Sequence, residues 1–267
     1  MSCFRSDLLS GHASIVTGGT SGIGFEIAKA IVEHGGNVTV TGRDAEKMQI
    51  AVDALGKNAR GDIGDVRDAD SVASNLTRHL EVFGRLDSLV NNAAGNFLCP
   101  LEKMTENAFR AVNDIVSLGT FLWSKAAFDP MKQQGGGRII NIGTHYVDGH
   151  GAMVAHSGAA KAAVFNLTKS IAVEWGRYGI RANMIAPGPV EGTEGVRRLL
   201  GAGELPPAFR AFMPVGRMAS GEEIAGLALY LLAPISDYIN GTIIYADGGL
   251  HLNSPGLMPP LPLPPSA

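Results

Sequence analysis

Short apolar runs alternate with segments of helical period from near the start of the chain. The runs predict strands at 13–16, 38–41, 60–63, 88–91, 138–142, 181–185 and 242–245. Between them lie segments such as 22–34, where Ile23, Ile27 and Ile31 recur every four residues and Glu26, Lys29 and Glu33 fall elsewhere on the helix. Such alternation is expected when crossover helices cover both faces of a parallel sheet. The pattern therefore predicts an α/β fold, a single doubly wound domain over 1–253 with a seven-stranded, mainly parallel sheet and helices on both faces. The stretch 187–223, with its glycines and Pro206-Pro207, interrupts the alternation before the last helix and strand. Its body, about 188–219, is expected to form a substrate lid at the carboxyl ends of the strands. Residues 254–267 are too rich in proline for a helix or a central strand, and read as an extended tail, dispensable or making a subunit contact.

Composition narrows the class. Of 267 residues, 45% are hydrophobic and 18% charged, which suits a globular chain with a core and excludes disorder. A net charge of -3 and a pI near 6.2 argue against the cationic surface of a general nucleic-acid binder, leaving room for a local basic patch. Cys3 and Cys99 are too few and too far apart for a disulfide framework or a zinc site, so a reducing compartment is expected. No apolar run approaches the roughly 20 residues of a membrane span, and the amino terminus lacks the apolar core of a signal peptide. A cytoplasmic protein without membrane or nucleic-acid partners is the expectation.

Directly after the first strand, Thr17-Gly18-Gly19-Thr20-Ser21-Gly22-Ile23-Gly24 opens a helix. A pyrophosphate needs close backbone approach and free N–H groups at a helix N-terminus, which Gly18, Gly22 and Gly24 permit; a plain tight turn would read the same way. The T-G-x-x-x-G-x-G form resembles the short-chain dehydrogenase/reductase family, a Rossmann fold. The resemblance extends through Asp65-Val66, Asn91-Asn92-Ala93-Ala94-Gly95, Pro187-Gly188 and Asp247-Gly248-Gly249 in order. It implies that Thr20, Ser21 and Ile23 join the glycines at the cofactor. Asp65 and Val66 would lie at the adenine, Asn92, Ala93 and Ala94 along the ribose, and Pro187, Gly188 and Pro189 beside the nicotinamide. At the end of the second strand Gly42 replaces the carboxylate that would bind the 2′-hydroxyl of NAD, and Arg43 offers a fork for the 2′-phosphate of NADP. NADP(H) is thus the expected cofactor, with Arg43 as a merely solvated arginine the alternative and Asp44 a counterweight.

Most members of that family carry Tyr-x-x-x-Lys on the helix after the fifth strand. Here Lys161 is preceded four positions earlier by Ser157, which shares its helix face but is a poor acid. Tyr146, on the loop leaving the fifth strand, lies eleven residues before Ser157. This arrangement resembles the 2,4-dienoyl-CoA reductase branch, particularly its peroxisomal members. Asn96 within Ala93-Ala94-Gly95-Asn96-Phe97-Leu98-Cys99-Pro100, Asp114-Ile115-Val116 and Gly192-Thr193-Glu194-Gly195 carry the same resemblance. The family's helix asparagine would fall at Val116. The resemblance implies catalysis by Tyr146, Asn96, Lys161 and Ser157, an acyl-CoA thioester substrate, and a homotetramer. It also admits a peroxisomal location, although Pro265-Ser266-Ala267 is not a Ser-Lys-Leu address.

Each of these residues also has a structural reading. Tyr146 could cap a loop, Asn96 could form a turn, and Ser157 with Lys161 could be an exposed helical pair. His145, His150 and His156 are spaced by five and six residues, unlike zinc ligands, and are expected to be polar loop residues; no metal is expected. Arg197 and Arg198 are candidates for the phosphates of coenzyme A, with Arg210 and Arg217 behind them, and Phe97 is a candidate substrate contact. Leu199, Leu200, Leu205, Phe209 and Phe212 could line an acyl channel or form a packed helix face. The rival activities are trans-2-enoyl-CoA reduction, which Ala155-His156-Ser157-Gly158 also suggests, and carbonyl reduction. A silent NADP(H) sensor is the reading that is not an enzyme.

Overall fold

The computed structural model describes residues 4–149, 151–200, 210 and 212–253. The seven predicted strands are present as β1 (Ala13–Thr17), β2 (Asn37–Gly42), β3 (Ala59–Ile63), β4 (Ser88–Asn91), β5 (Gly137–Ile142), β6 (Ile180–Pro187) and β7 (Ile243–Ala246). They form one sheet in the order β3-β2-β1-β4-β5-β6-β7, with every pairing parallel. The helices between them are α1 (Gly22–Glu33), α2 (Ala45–Leu55), α3 (Ala69–Phe83), α4 (Glu106–Asn113), α5 (Gly119–Gln133), α6 (Ala155–Trp175), α7 (Glu194–Leu200) and α8 (Gly221–Leu232).

The strands alternate their contacts between two cores. Val16, Val90 and Ile140 pack with Ile27 and Ile31 of α1 and Ile224, Ala228 and Leu232 of α8. Their neighbours Ile15, Leu89 and Ile139 face the other way, onto Val72 of α3, Trp123 and Met131 of α5, and Ile171 of α6. Both faces are therefore buried, which is why these strands read as unbroken apolar runs. Because β1 pairs with β2 on one side and β4 on the other, successive crossovers leave in opposite directions and open a crevice at its carboxyl end.

Two features depart from the expected pattern. The last helix begins before Glu223: Ser220 caps it, its hydroxyl accepting from the Glu223 amide while the Glu223 carboxylate accepts from the Ser220 amide. Between α4 and α5, Asp114–Leu118 forms a π-helical turn that carries Val116, which is buried against Val112, Val164 and Met184. The stretch after β6 is closed at its base by a parallel bridge between Val190 and Ala219, with Glu191 donating to Ala219 and Ala219 to Pro189. Pro206, Pro207, Leu205, Phe209, His150 and the proline-rich tail lie outside the described residues, as do the side chains of Leu199 and Leu200. No helix among the described residues is long and apolar enough to cross a membrane.

Candidate active site

A cleft of about 760 Å³ runs along the carboxyl ends of the strands, from Arg43 and Lys47 beside β2 to the loop after β6. Its first half is built of backbone. Gly18 takes a positive φ of 63°, and a Cβ there would sit 3.0 Å from the Ala93 Cα. A Cβ on Gly24 would collide with the Asn92 side-chain amide, so α1 can start against the end of β4 only without a side chain there. Asn92 locks the turn by donating to the Thr17 and Gly18 carbonyls at 3.0 Å, while the Thr17 hydroxyl accepts from the Asn92 and Ala93 amides. The first turn of α1 holds no acid, and the Ser21 side chain makes no cap hydrogen bond, so its amides stay available to an anion.

All the expected cofactor contacts line this cleft except Gly24, which is one layer behind against Asn92. Arg43 and Lys47 flank its β2 end. The intervening acid is engaged elsewhere: the Asp44 carboxylate caps α2 by accepting from the Lys47 amide at 3.1 Å. Lys47 is a residue that the sequence reading missed, visible only as the third position after that cap. Asp65 lines the cleft with its carboxylate gripped by Arg67 at 2.6 Å, and that hydrogen-bonded guanidinium holds it below the usual carboxylate range. Beyond β6, the Thr193 methyl approaches Gly22, where an added Cβ would lie 3.4 Å from it.

The second half is built of side chains from three separate segments. Tyr146 lies in the turn after β5, its ring lying against Gly151 and Gly158, where a Cβ would approach it to 3.3 and 3.6 Å. Its hydroxyl accepts from the Asn96 amide at 3.3 Å and lies 3.3 Å from the Ser157 hydroxyl. Ser157 and Lys161 are both buried, not an exposed helical pair. The Lys161 ammonium donates to the Ile142 carbonyl, and burial pushes its pKa down to about 8. The Asn96 side-chain oxygen also accepts from the Phe97 amide at 2.9 Å, bracing its own backbone in an extended loop without a turn.

The remaining candidates fall elsewhere. Arg197 and Arg198 do not line the cleft; both grip Glu194, at 2.5 and 2.8 Å, and only Arg198 reaches inward, towards the Asn96 carbonyl at 3.4 Å. Their spacing on one helical turn with Glu194 favours this local pairing. Arg217 pairs with Glu223 and Arg210 is exposed. Phe97 is absent from the cleft wall and packs beneath it, against the cluster that holds Val116 and Met184. Phe212 is partly exposed. His145 lines the cleft with its ring 4.9 Å from that of Tyr146, and burial lowers its pKa, so it is neutral at pH 7. His156 is not a loop residue: it is fully buried in the first turn of α6. Among the described residues, no group of three or more acids, cysteines and histidines could hold a metal ion.

Comparison with known proteins gives a consistent result. A family model described as Enoyl-(Acyl carrier protein) reductase matches residues 18–251. The chain is 46% identical over 250 residues to a Bacillus subtilis (strain 168) protein named "Probable 2,4-dienoyl-CoA reductase [(2E)-enoyl-CoA-producing]", covering 90% of this chain and 97% of that one. It is 40% identical over 256 residues to a Danio rerio protein named "Peroxisomal 2,4-dienoyl-CoA reductase [(3E)-enoyl-CoA-producing]", covering 94% and 85%. Among solved structures, a short chain dehydrogenase from Bacillus anthracis superimposes with a TM-score of 0.85 at 42% identity, over 90% of this chain and 96% of that one.

Proposed function

The chain belongs to the short-chain dehydrogenase/reductase family, an oxidoreductase family, and from that premise we propose that it is an NADPH-dependent 2,4-dienoyl-CoA reductase. One observation carries this reading. The tyrosine hydroxyl sits on a loop, between Asn96 and Ser157, and not at the position four residues before Lys161. A ketone reductase must deliver a proton to the oxygen that becomes the alcohol. Reduction of a conjugated thioester instead requires donors on a remote carbonyl oxygen, so a displaced pair of donors matches the second task.

The residues of the first half fit a dinucleotide phosphate. Gly18, Gly22 and the uncapped amides of α1 would hold the pyrophosphate, and Arg43 with Lys47 the 2′-phosphate, with no carboxylate at Gly42 to repel it. Asp65 and Val66 would flank the adenine, Ala93 and Ala94 the ribose, and Pro187, Gly188 and Pro189 the nicotinamide. When bound, the cofactor supplies a hydride to C5 of the dienoyl chain. Tyr146 and Asn96 donate to the thioester oxygen as the electron pair displaced through the diene accumulates there. Ser157 keeps the Tyr146 hydroxyl in place. Lys161 keeps one donor on the Ile142 carbonyl and has two left for ribose hydroxyls, while its charge favours the developing oxyanion. Protonation at the α carbon then gives a 3-enoyl-CoA.

The name of the Bacillus subtilis relative supports a second product, a 2-enoyl-CoA, which would arise by protonation at C4. The same reading carries a homotetramer, supported by the exposed apolar side chains of Leu118 in the π-helical turn, Phe121 on α5 and Val173 on α6, and a cytoplasmic location. NADPH oxidation should be followed with 2,4-hexadienoyl-CoA, crotonyl-CoA and acetoacetyl-CoA side by side. Turnover of the dienoyl thioester is expected, and NMR of its product locates the remaining double bond. Turnover of acetoacetyl-CoA alone would overturn the proposal; crotonyl-CoA alone would make the protein a trans-2-enoyl-CoA reductase, and tight NADPH binding without turnover a sensor.

A further inference from the structure

Two rings that do not touch the cleft tie its catalytic half together. Phe97 follows Asn96, and His156 precedes Ser157. Their rings stack with centroids 4.2 Å apart and planes 26° from parallel. His156 is fully buried, and among the described residues neither of its ring nitrogens has a hydrogen-bond partner. Each buried, unpaired nitrogen costs its desolvation, so a residue that only filled space here would be better apolar. Burial keeps the imidazole neutral by lowering its pKa, which suits a ring lying flat on another.

The underside of the stack is equally well defined. Phe97 rests on the apolar cluster of Val112, Val116, Val147, Ala160, Val164 and Met184. Val116, which stands where the family's helix asparagine would be, thus helps seat the loop that carries Asn96. A second fastening lies two residues on, where the Cys99 amide donates to the Met153 carbonyl at 2.8 Å. Met153 has a φ of 64°, and among the described residues no other non-glycine has a positive φ. Such a conformation persists only where the surroundings over-determine it.

We propose that the Phe97–His156 stack is the positioning element of this active site, holding the Asn96 loop against α6 so that the Asn96 amide and the Ser157 hydroxyl converge on the Tyr146 oxygen. Its catalytic consequence rests on the donor role proposed above for Tyr146. Phe97 is on this account a positioning residue and not a substrate contact.

The test compares His156→Leu, which keeps the space filled without a flat ring, with His156→Phe, which keeps a ring. For each, kcat, KM and NADPH affinity are measured together with hydrogen exchange at the Phe97 and Cys99 amides. His156→Leu should lower kcat roughly ten- to a hundredfold, as a small misplacement of reacting groups does, and speed exchange at both amides. Its NADPH affinity should stay within about twofold, because the dinucleotide half of the cleft is untouched. His156→Phe should restore both readouts and melt no lower than the wild type, since it removes two unpaired nitrogens.

An unchanged kcat and unchanged exchange in His156→Leu would overturn the proposal, and so would a His156→Phe variant as impaired as His156→Leu. If His156→Leu fails to fold, Phe97→Leu removes the other ring and is judged by the same criteria. If the wild type reduces none of the three thioesters, the dienoyl reading fails, and exchange alone decides: protection lost in the leucine variant and kept in the phenylalanine variant supports the stack, equal protection in all three rejects it.

Discussion

Along the β1 side of the cleft the surface is main chain, whereas along the β5 side it is a set of side chains borrowed from distant segments. The β1 side tolerates no Cβ at Gly18 or Gly24, and Asn92 fixes its carbonyls with local bonds at strand ends. The β5 side depends on Asn96, Tyr146 and Ser157 meeting at 3.3 Å from two loops and a helix. A backbone site survives wherever the strand-to-helix turn forms. A side-chain site needs its supporting rings and glycines as well, and can shift within a family while the cofactor stays put.

Lys161 belongs to both sides, so removing it should break the comparison most severely. Lys161→Ala is expected to lower kcat by roughly a thousandfold and also to weaken NADPH binding, as measured by steady-state kinetics and fluorescence titration. The same residue predicts a pH dependence. Its ammonium is charged below a pKa of about 8 and neutral above it, so kcat/KM should fall as pH rises through that value. A flat profile to pH 10 would remove the charge from the mechanism.

Tyr146→Phe should separate the two sides cleanly. A loss on the order of a hundredfold in kcat is expected from deleting one oxyanion donor, with NADPH affinity unchanged by calorimetry. Equal losses in both would mean that the tyrosine serves the fold of the cleft. On the cofactor side, Arg43→Ala should raise the KM for NADPH about tenfold and leave that for NADH nearly unaltered, the signature of a lost charge-assisted bond to one phosphate. The smallest effect is expected for Arg197→Ala. Its salt bridge to Glu194 is exposed, so activity and melting temperature should both stay close to wild type. A large loss of affinity for the acyl-CoA would return Arg197 to the substrate site.

The difference between the two sides also explains how much could be read in advance. Strands buried on both faces read as short apolar runs and the helices between them as a 3.6-residue period, so strand positions and the glycine turn were legible to within a few residues. Tyr146, Asn96, Ser157 and Lys161 were legible through resemblance to a family, and the fold brings all four to one cleft. Arg197 and Arg198 stood as candidates for the coenzyme A phosphates with a solvated helix face as the alternative; charge alone does not say which partner is nearer, and Glu194 lies within one helical turn of both. Lys47 escaped notice because it becomes part of the cleft only once Asp44 caps α2 beside it.

Residue order alone carries the alternation of parallel strands with crossover helices and the glycine turn at the switch point, because each is written in local spacing; the dinucleotide reading of that turn and the displacement of tyrosine from the helix came from resemblance to a family. Long-range packing is what makes His156 a buried ring stacked on Phe97, sets Val116 in the apolar seat beneath it, and rests the Tyr146 ring against Gly151 and Gly158. These contacts join residues some sixty positions apart in the case of the two rings, and packing between such segments leaves no periodic trace along the chain.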